Sequence, residues 1–111
     1  MEPFDATPER DDEIAPASRR KSKRPRRFQV IFHNDDYTSM EFVVHILTTH
    51  FRKAPAEAHQ VMLEVHFKGA GIAGVYPREV AETKVAEATD EARANGMPLL
   101  ITTEPYPGDA A

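Results

Sequence analysis

Four polar side chains in this sequence have the chemistry to bind a protonated amine. Asn34, Asp35 and Asp36 follow one another directly, and His66 lies further along the chain. The amide oxygen of asparagine, a carboxylate and the lone pair of a neutral imidazole all accept hydrogen bonds. A free α-amino group has a reference pKa of about 7.7–8.0, so at neutral pH it is largely protonated and offers donors only. These four residues therefore suit a ligand that carries a cationic amine.

Apolar residues accompany the polar ones at helical spacing. Met62 and His66 are four residues apart, so they share one face of a helix with Val65 nearby, and Met40 and Val43 open the helix that follows the polar run. A polar rim over a floor of methionine and valine describes a small apolar pocket with a few convergent polar groups. Such a pocket suits a ligand whose amine lies beside an apolar side chain, and methionines at the wall can adapt to differing side-chain shapes.

The same residues also have simpler interpretations. Methionines at helical spacing belong by default to the core, and a lone histidine is more often a satisfied structural residue than a ligand-binding one. The spacing alone leaves both interpretations open.

The polar run is expected to fold as a loop held against a helix. Consecutive asparagine and aspartate residues turn the chain by accepting hydrogen bonds from nearby backbone N–H groups. Thr38 and Glu41 have the spacing of a capping box, which predicts a helix that begins at about Ser39. The loop would then form the rim of the pocket.

Hydropathy patterns predict three strands and three helices. Alternating apolar residues indicate strands, three- and four-residue spacing indicates helices, and proline and glycine mark helix ends. The predicted elements are a strand over 28–33, helices over 39–51 and 55–68, a strand over 71–76, a helix over 78–95 and a strand over 99–103. The glycines of the second strand also indicate a bulge or a close backbone approach. Three strands need helices over one face, so the predicted fold class is α+β, a two-layer sandwich of a three-stranded sheet and three helices in the order β-α-α-β-α-β.

Composition divides the chain of 111 residues into three parts. Residues 1–27 are charged, rich in proline and alanine, and poor in large apolar side chains, which predicts a disordered N-terminal extension. The folded domain is predicted over 28–105, with a flexible C-terminus over 106–111. Residues 1–27 hold eight Lys/Arg and six Asp/Glu, whereas residues 28–111 hold six and twelve. An acidic domain repels the phosphate backbone, so we expect no nucleic-acid partner.

Several classes of function lack their sequence signature. The absence of cysteine excludes disulfides, thiolate metal sites and a cysteine nucleophile. No apolar run approaches the ~20 residues of a membrane span, and the N-terminus has no apolar secretory core, so we expect a cytoplasmic protein without a membrane partner. Without chelating histidine spacing, a nucleophile elbow or a phosphate loop, we expect no catalytic residue, no metal and no cofactor.

Two motifs give the sequence a family resemblance. They are Asn34-Asp35-Asp36-Tyr37-Thr38 and Glu79-Val80-Ala81-Glu82-Thr83-Lys84, with Met40-Glu41-Phe42-Val43, Val65-His66 and Gly69 between them. Over about residues 28–104 the sequence strongly resembles ClpS, the family of bacterial adaptors that hand N-degron substrates to the ClpAP protease. The resemblance implies a non-catalytic, monomeric adaptor that binds proteins beginning with Leu, Phe, Tyr or Trp and delivers them to the unfoldase ClpA.

The resemblance also implies a role for each matching residue. Asn34, Asp35 and His66 match the positions that hold the α-amino group, and Asp36 beside them adds negative field. Pocket-lining positions are matched by Thr38, Met40, Val43, Met62, Val65 and Leu99, with Met40 at the gatekeeper position that excludes β-branched side chains. Glu79 and Lys84 match the face that docks to the ClpA N-terminal domain, and the N-terminal extension matches the segment that engages the unfoldase.

Three residues depart from the family pattern. Phe32 stands where leucine is frequent, His33 where an apolar residue is usual, and Ser39 where proline is common. Phe32 is counted with the pocket because the larger ring could narrow it and change the ranking of Trp, Phe, Tyr and Leu.

A generic protein-docking domain is the alternative. The strand-helix-helix arrangement also resembles the C-terminal domain of the ribosomal stalk protein. That domain has no need of an Asn-Asp-Asp rim or of His66, and binding that ignores the peptide N-terminus would favour it.

Overall fold

The computed structural model of the protein describes residues 25–109, which form three strands and three helices in the predicted order β-α-α-β-α-β. The strands are β1 (Arg27–His33), β2 (Ala70–Pro77) and β3 (Leu100–Pro105), and the helices are α1 (Met40–His50), α2 (Pro55–Lys68) and α3 (Arg78–Ala94). A short 3-10 turn, Pro107–Asp109, follows β3. The predicted fold class is confirmed. Within residues 25–109, every helix is too short or too polar to cross a membrane.

The sheet is antiparallel with β1 in the centre, in the order β2-β1-β3. The register of the pairing between β1 and β2 shifts after Val30, because Val30 pairs with Gly74 whereas Ile31 pairs with Ile72. Ala73 is the extra residue, so the bulge expected in this strand is present. The central position of β1 matters for the site, because the loop that follows His33 starts from a strand that is paired with a neighbour on both sides.

The core lies between the sheet and the helices. Val30 and Phe32 of β1 and Ile46 and Leu47 of α1 are fully buried. Helix α1 packs on α2, while α3 packs on all three strands. The residues that α3 buries are alanines, Ala81, Ala88 and Ala92, so this helix lies close to the sheet.

Helix α1 begins by a different cap from the one predicted. Ser39 is the N-cap residue, and its Oγ accepts a hydrogen bond from the N–H of Phe42 at 3.1 Å. The predicted capping box of Thr38 and Glu41 is therefore wrong. The hydroxyl of Thr38 instead donates to Asp35 Oδ2 at 2.7 Å, which leaves the next hydroxyl along the chain to cap the helix.

The limits of α2 agree with the prediction at both ends. Pro55 occupies the first turn, where a missing N–H costs nothing. Gly69 follows the last turn with a φ of 92°, a left-handed conformation that favours glycine. This sharp end turns the chain straight into β2.

Regular structure extends slightly beyond the predicted 28–105 at both ends. Arg27 lies in β1, and its side chain donates to Asp109 at 3.0 and 2.8 Å. The N–H of Tyr106 donates to the carbonyl of Arg27 at 2.9 Å. The disorder predicted for 1–27 falls, apart from residues 25–27, outside the described residues, and the flexibility predicted for 106–111 stays a prediction.

Candidate functional site

The loop between β1 and α1 is attached to the end of α2. The N–H of Asn34 donates to the carbonyl of Gly69 at 3.0 Å, and the N–H of Gly69 donates to the carbonyl of Val65. Gly69 closes α2, whose last turn carries His66. One pair of backbone hydrogen bonds therefore places Asn34 near His66, although 31 residues separate the two in the sequence.

Asp35 holds the loop in shape. Its Oδ1 accepts hydrogen bonds from the N–H groups of Tyr37 and Thr38 at 2.8 and 2.7 Å, and its Oδ2 accepts the Thr38 hydroxyl at 2.7 Å. Partial burial on its own raises the pKa of this carboxyl, but the bonds from Thr38 and Tyr37 outweigh it and lower the pKa below 3.8. Asp35 is therefore an ionised loop anchor that also contributes negative charge to the site.

A cavity of about 330 Å³ opens between this loop, the start of α1 and the last two turns of α2. It is lined by Asn34, Asp35, Asp36, Tyr37, Thr38, Ser39, Met40, Val43, Met62, Val65 and His66. The volume is at the lower end of the range for small-molecule sites, which suits a single amino-acid residue.

The floor and the mouth of the cavity differ in character. Val43, Met62 and Val65 are no more than 5% exposed, so the floor is apolar and part of the core. Met40 is 46% exposed at the first turn of α1. A large flexible side chain at the mouth can contact both a bound side chain and the segment that leaves the cavity.

The polar rim keeps unused hydrogen-bonding groups. Among residues 25–109, no side-chain hydrogen bond involves Asn34, Asp36 or His66, and all three are exposed. The ring of His66 packs edge-on against Phe67, with 4.8 Å between centroids and planes at 77°. The rim therefore combines an amide, a carboxylate and an imidazole beside an apolar floor.

The structure brings together nine of the eleven residues predicted for the amine site and pocket. The exceptions are Phe32 and Leu99, which lie in the core with 0% and 1% exposure and do not line the cavity. Phe32 packs edge-on against Phe51 at 5.4 Å, so its ring fills the core and does not narrow the cavity. Tyr37 and Ser39 line the cavity but were not predicted. Their position inside the polar loop was the available signal.

Glu79 and Lys84 lie on α3 and border a separate surface depression of about 370 Å³, together with Val80, Thr83 and Glu87. The Lys84 ammonium donates to the carbonyl of His50 at 2.9 Å and lies 5.3 Å from the centre of the Tyr76 ring. Lys84 is thus fixed by contacts to the end of α1 and to β2. The surface is distinct from the cavity and presents charge around the half-exposed Val80.

No group of three or more histidine, aspartate or glutamate side chains within residues 25–109 has an arrangement that could hold a metal ion. The site provides hydrogen-bond acceptors at its rim and apolar surface at its floor. The fold and the cavity together therefore define a small ligand-binding domain.

Comparison with known proteins identifies the family. The family model described as ATP-dependent Clp protease adaptor protein ClpS matches residues 23–102. The adapter protein ClpS from Desulfatibacillum aliphaticivorans is 53% identical over 85 residues, which cover 77% of this chain and 82% of the relative. The adapter protein ClpS from Oleidesulfovibrio alaskensis is 57% identical over 82 residues, which cover 74% of this chain and 79% of the relative. The chain belongs to the ClpS family of ATP-dependent Clp protease adaptors.

A solved structure supports the same assignment. It is the structure of Agrobacterium tumefaciens ClpS2 bound to L-phenylalaninamide, which is 42% identical with a TM-score of 0.72. The alignment covers 75% of this chain and all of that one. The whole of that chain is therefore matched by part of this one.

Proposed function

We propose that this chain is a non-catalytic adaptor that binds the first residue of proteins with Leu, Phe, Tyr or Trp at the N-terminus and delivers them to the ClpA unfoldase of ClpAP. The observation that carries the proposal is the cavity, which joins an apolar floor to a rim of hydrogen-bond acceptors. Phenylalaninamide, the ligand of the Agrobacterium relative, has the same two parts, a free amine and an apolar ring.

The amine is assigned to the four polar residues of the rim, Asn34, Asp35, Asp36 and His66. The rim offers an amide oxygen, a carboxylate and an imidazole, and a protonated amine has three N–H donors to share among them. Asp35 already accepts three hydrogen bonds from its own loop. Its main contributions are the shape of the rim and a negative charge close to the ammonium group.

The first side chain is assigned to the floor of the cavity. Val43, Met62 and Val65 contact its far end, and Thr38 and Met40 border the mouth. Burying an aromatic or leucine side chain is favourable by about 1.5–3 kcal/mol, whereas an N-terminal Arg would bring a charge onto an apolar floor. Met40 is proposed as the gatekeeper, because a side chain branched at Cβ is widest where it passes the mouth.

Fluorescence anisotropy of labelled peptides tests the proposal. The peptides begin with Phe, Leu, Tyr, Trp, Met, Ile or Arg and are otherwise identical. The first four should bind, and Ile and Arg should bind at least tenfold more weakly. Equal affinity for all seven peptides would contradict the proposal. It would favour a generic docking domain that does not recognise the first residue.

Delivery is assigned to the surface of α3 that carries Glu79 and Lys84. Glu79→Lys reverses a charge in the first turn of α3 and should weaken binding to the ClpA N-terminal domain while peptide affinity is unchanged. Glu64→Lys is the matched control, since Glu64 is exposed on α2 and does not border the α3 surface. Equal ClpA binding by both variants would remove α3 from the docking surface.

A further inference from the structure

A second groove lies beside the cavity, between the exposed faces of α1 and α2. It has a volume of about 280 Å³ and is lined by Met40, Glu41, Val44, His59 and Met62. Met40 and Met62 also line the first cavity. These two methionine side chains therefore border both depressions, and one peptide can contact both.

The lining of the groove selects an apolar side chain. Met40, Val44 and Met62 form its surface, and Met40 is 46% exposed although it is large and apolar. Exposed apolar surface next to a ligand cavity is typical of an interaction site. Glu41, on the edge of the groove, disfavours an acidic side chain because two carboxylates repel each other.

The alternation of side chains along an extended peptide indicates which residue can reach the groove. In an extended chain, successive side chains point to opposite sides, so residues 1 and 3 share a side about 6.6–7 Å apart. Two depressions bordered by the same methionine side chains correspond to two side chains on the same side of the peptide. When the first side chain fills the cavity, the third is the next side chain on that side of the peptide.

We propose that this groove is a second subsite, which binds an apolar side chain at the third residue of the substrate. The inference rests on the proposed function, because it takes the first residue of the peptide to occupy the cavity. It adds a sequence preference downstream of the N-terminus, so proteins with the same first residue differ in affinity.

The test uses peptides that begin Phe-Gly-Leu, Phe-Gly-Gly and Phe-Gly-Asp and are otherwise identical, with phenylalaninamide as a probe of the first cavity alone. We expect Leu at position 3 to bind about fivefold more tightly than Gly, since part of the side chain is buried, and Asp to bind more weakly than Gly. A Phe-Leu-Gly peptide should match Phe-Gly-Gly. Equal affinity for Leu and Gly at position 3, or a preference found at position 2 instead, would overturn the inference.

Two variants locate the preference in the groove. Val44→Asp and His59→Asp each place a carboxylate in it, and neither residue lines the first cavity. Each should abolish the preference for Leu over Gly and leave the affinity for phenylalaninamide unchanged. Gln60→Asp is the matched control, because Gln60 is an exposed neighbour of His59 that does not line the groove.

The outcomes separate the two proposals. If phenylalaninamide fails to bind the unmodified chain, the proposed function itself is wrong. If phenylalaninamide binds and the preference for Leu survives in both variants, the groove is not the subsite. His59→Asp keeps the test valid if Val44→Asp fails to fold, since His59 is exposed and Val44 is half-buried.

Discussion

Two clusters of histidine and carboxylate in this domain have opposite hydrogen-bonding states. Between α1 and α3, Glu91 accepts from His45 and His50 through separate oxygens, each at 2.6 Å. At the other cluster, His66 and Asp36 make no side-chain hydrogen bond within residues 25–109. Similar residue types are satisfied internally in one place and available to a ligand in the other.

The surroundings of the two clusters also differ. Glu91 and its histidines connect two helices, and the side chain of His50 is only 16% exposed. The pair His66 and Asp36 faces a cavity with an apolar floor. Saturated hydrogen bonds between elements indicate a structural role, and unsaturated ones beside an apolar cavity indicate a binding role. The comparison predicts that substitutions in the two clusters have separate consequences.

The largest effect is expected for the rim residues. Asn34→Ala or His66→Ala removes an acceptor for a charged donor, which is worth about 1.5–3 kcal/mol, so affinity for a Phe-initiated peptide should fall about ten- to a hundredfold. The melting temperature should stay close to that of the unmodified protein. His45→Ala provides the contrast, because it should leave peptide affinity unchanged. Unaltered affinity in both rim variants would mean that the amine binds elsewhere.

Asp35→Ala is expected to affect both binding and stability. The substitution leaves two N–H groups and a hydroxyl of the loop without their acceptor, so the free energy of unfolding should fall by about 2 kcal/mol. Asp36→Ala, at the exposed neighbour, should change stability far less. Chemical denaturation of the two variants would measure the difference, and equal losses would contradict the role of Asp35 as the loop anchor.

Acid should reduce the stability supplied by Asp35. Its pKa is lower in the folded chain than the ordinary value of 3.8, so its stabilising contribution is complete above about pH 4 and is lost as the pH falls through the lowered pKa. The difference in stability between the unmodified chain and Asp35→Asn should therefore narrow below about pH 4. A constant difference down to about pH 2 would contradict this assignment.

A smaller change, in specificity rather than affinity, is expected for Met40→Ala. A wider mouth should raise the affinity for peptides that begin with Ile or Val a few-fold relative to those that begin with Phe. Competition between Ile- and Phe-initiated peptides measures this ratio directly. An unchanged ratio would count against the gatekeeper role.

The smallest effect is expected for Glu91→Gln. The hydrogen bonds of His50 and His45 lower the pKa of Glu91 below 4.5, so the stability that this carboxylate adds is present above about pH 4.5 and is lost as the pH falls through the lowered pKa. The melting temperature should drop slightly at neutral pH, and peptide affinity should not change. A loss of peptide affinity with unchanged stability would reverse the comparison between the two clusters.

Local signals in the sequence predicted α2 and most of the polar rim. Pro55 and Gly69 fix the ends of α2 by backbone chemistry that needs no tertiary context. The cap of α1 was not predictable in this way, because Thr38 and Ser39 can both cap a helix. The structure decides between them through the carboxylate of Asp35, which accepts the Thr38 hydroxyl.

How deeply each apolar residue is buried could not be predicted from the sequence either. Phe32 and Val43 are both apolar positions on inward faces, but only Val43 borders the cavity. Which inward residues line the cavity depends on how the polar loop, α1 and α2 pack together, which alternation and helical spacing do not encode. The family resemblance assigned Leu99 to the pocket, but it did not indicate that Leu99 is buried in the core.

The proposed role of the rim is to bind a free α-amino group. Its most direct test is the affinity of one Phe-initiated peptide with a free N-terminus and with an acetylated one, measured by anisotropy on the full chain. Acetylation removes the charge and two of the donors, so we expect affinity to fall at least a hundredfold. Equal binding of the two peptides would contradict the account.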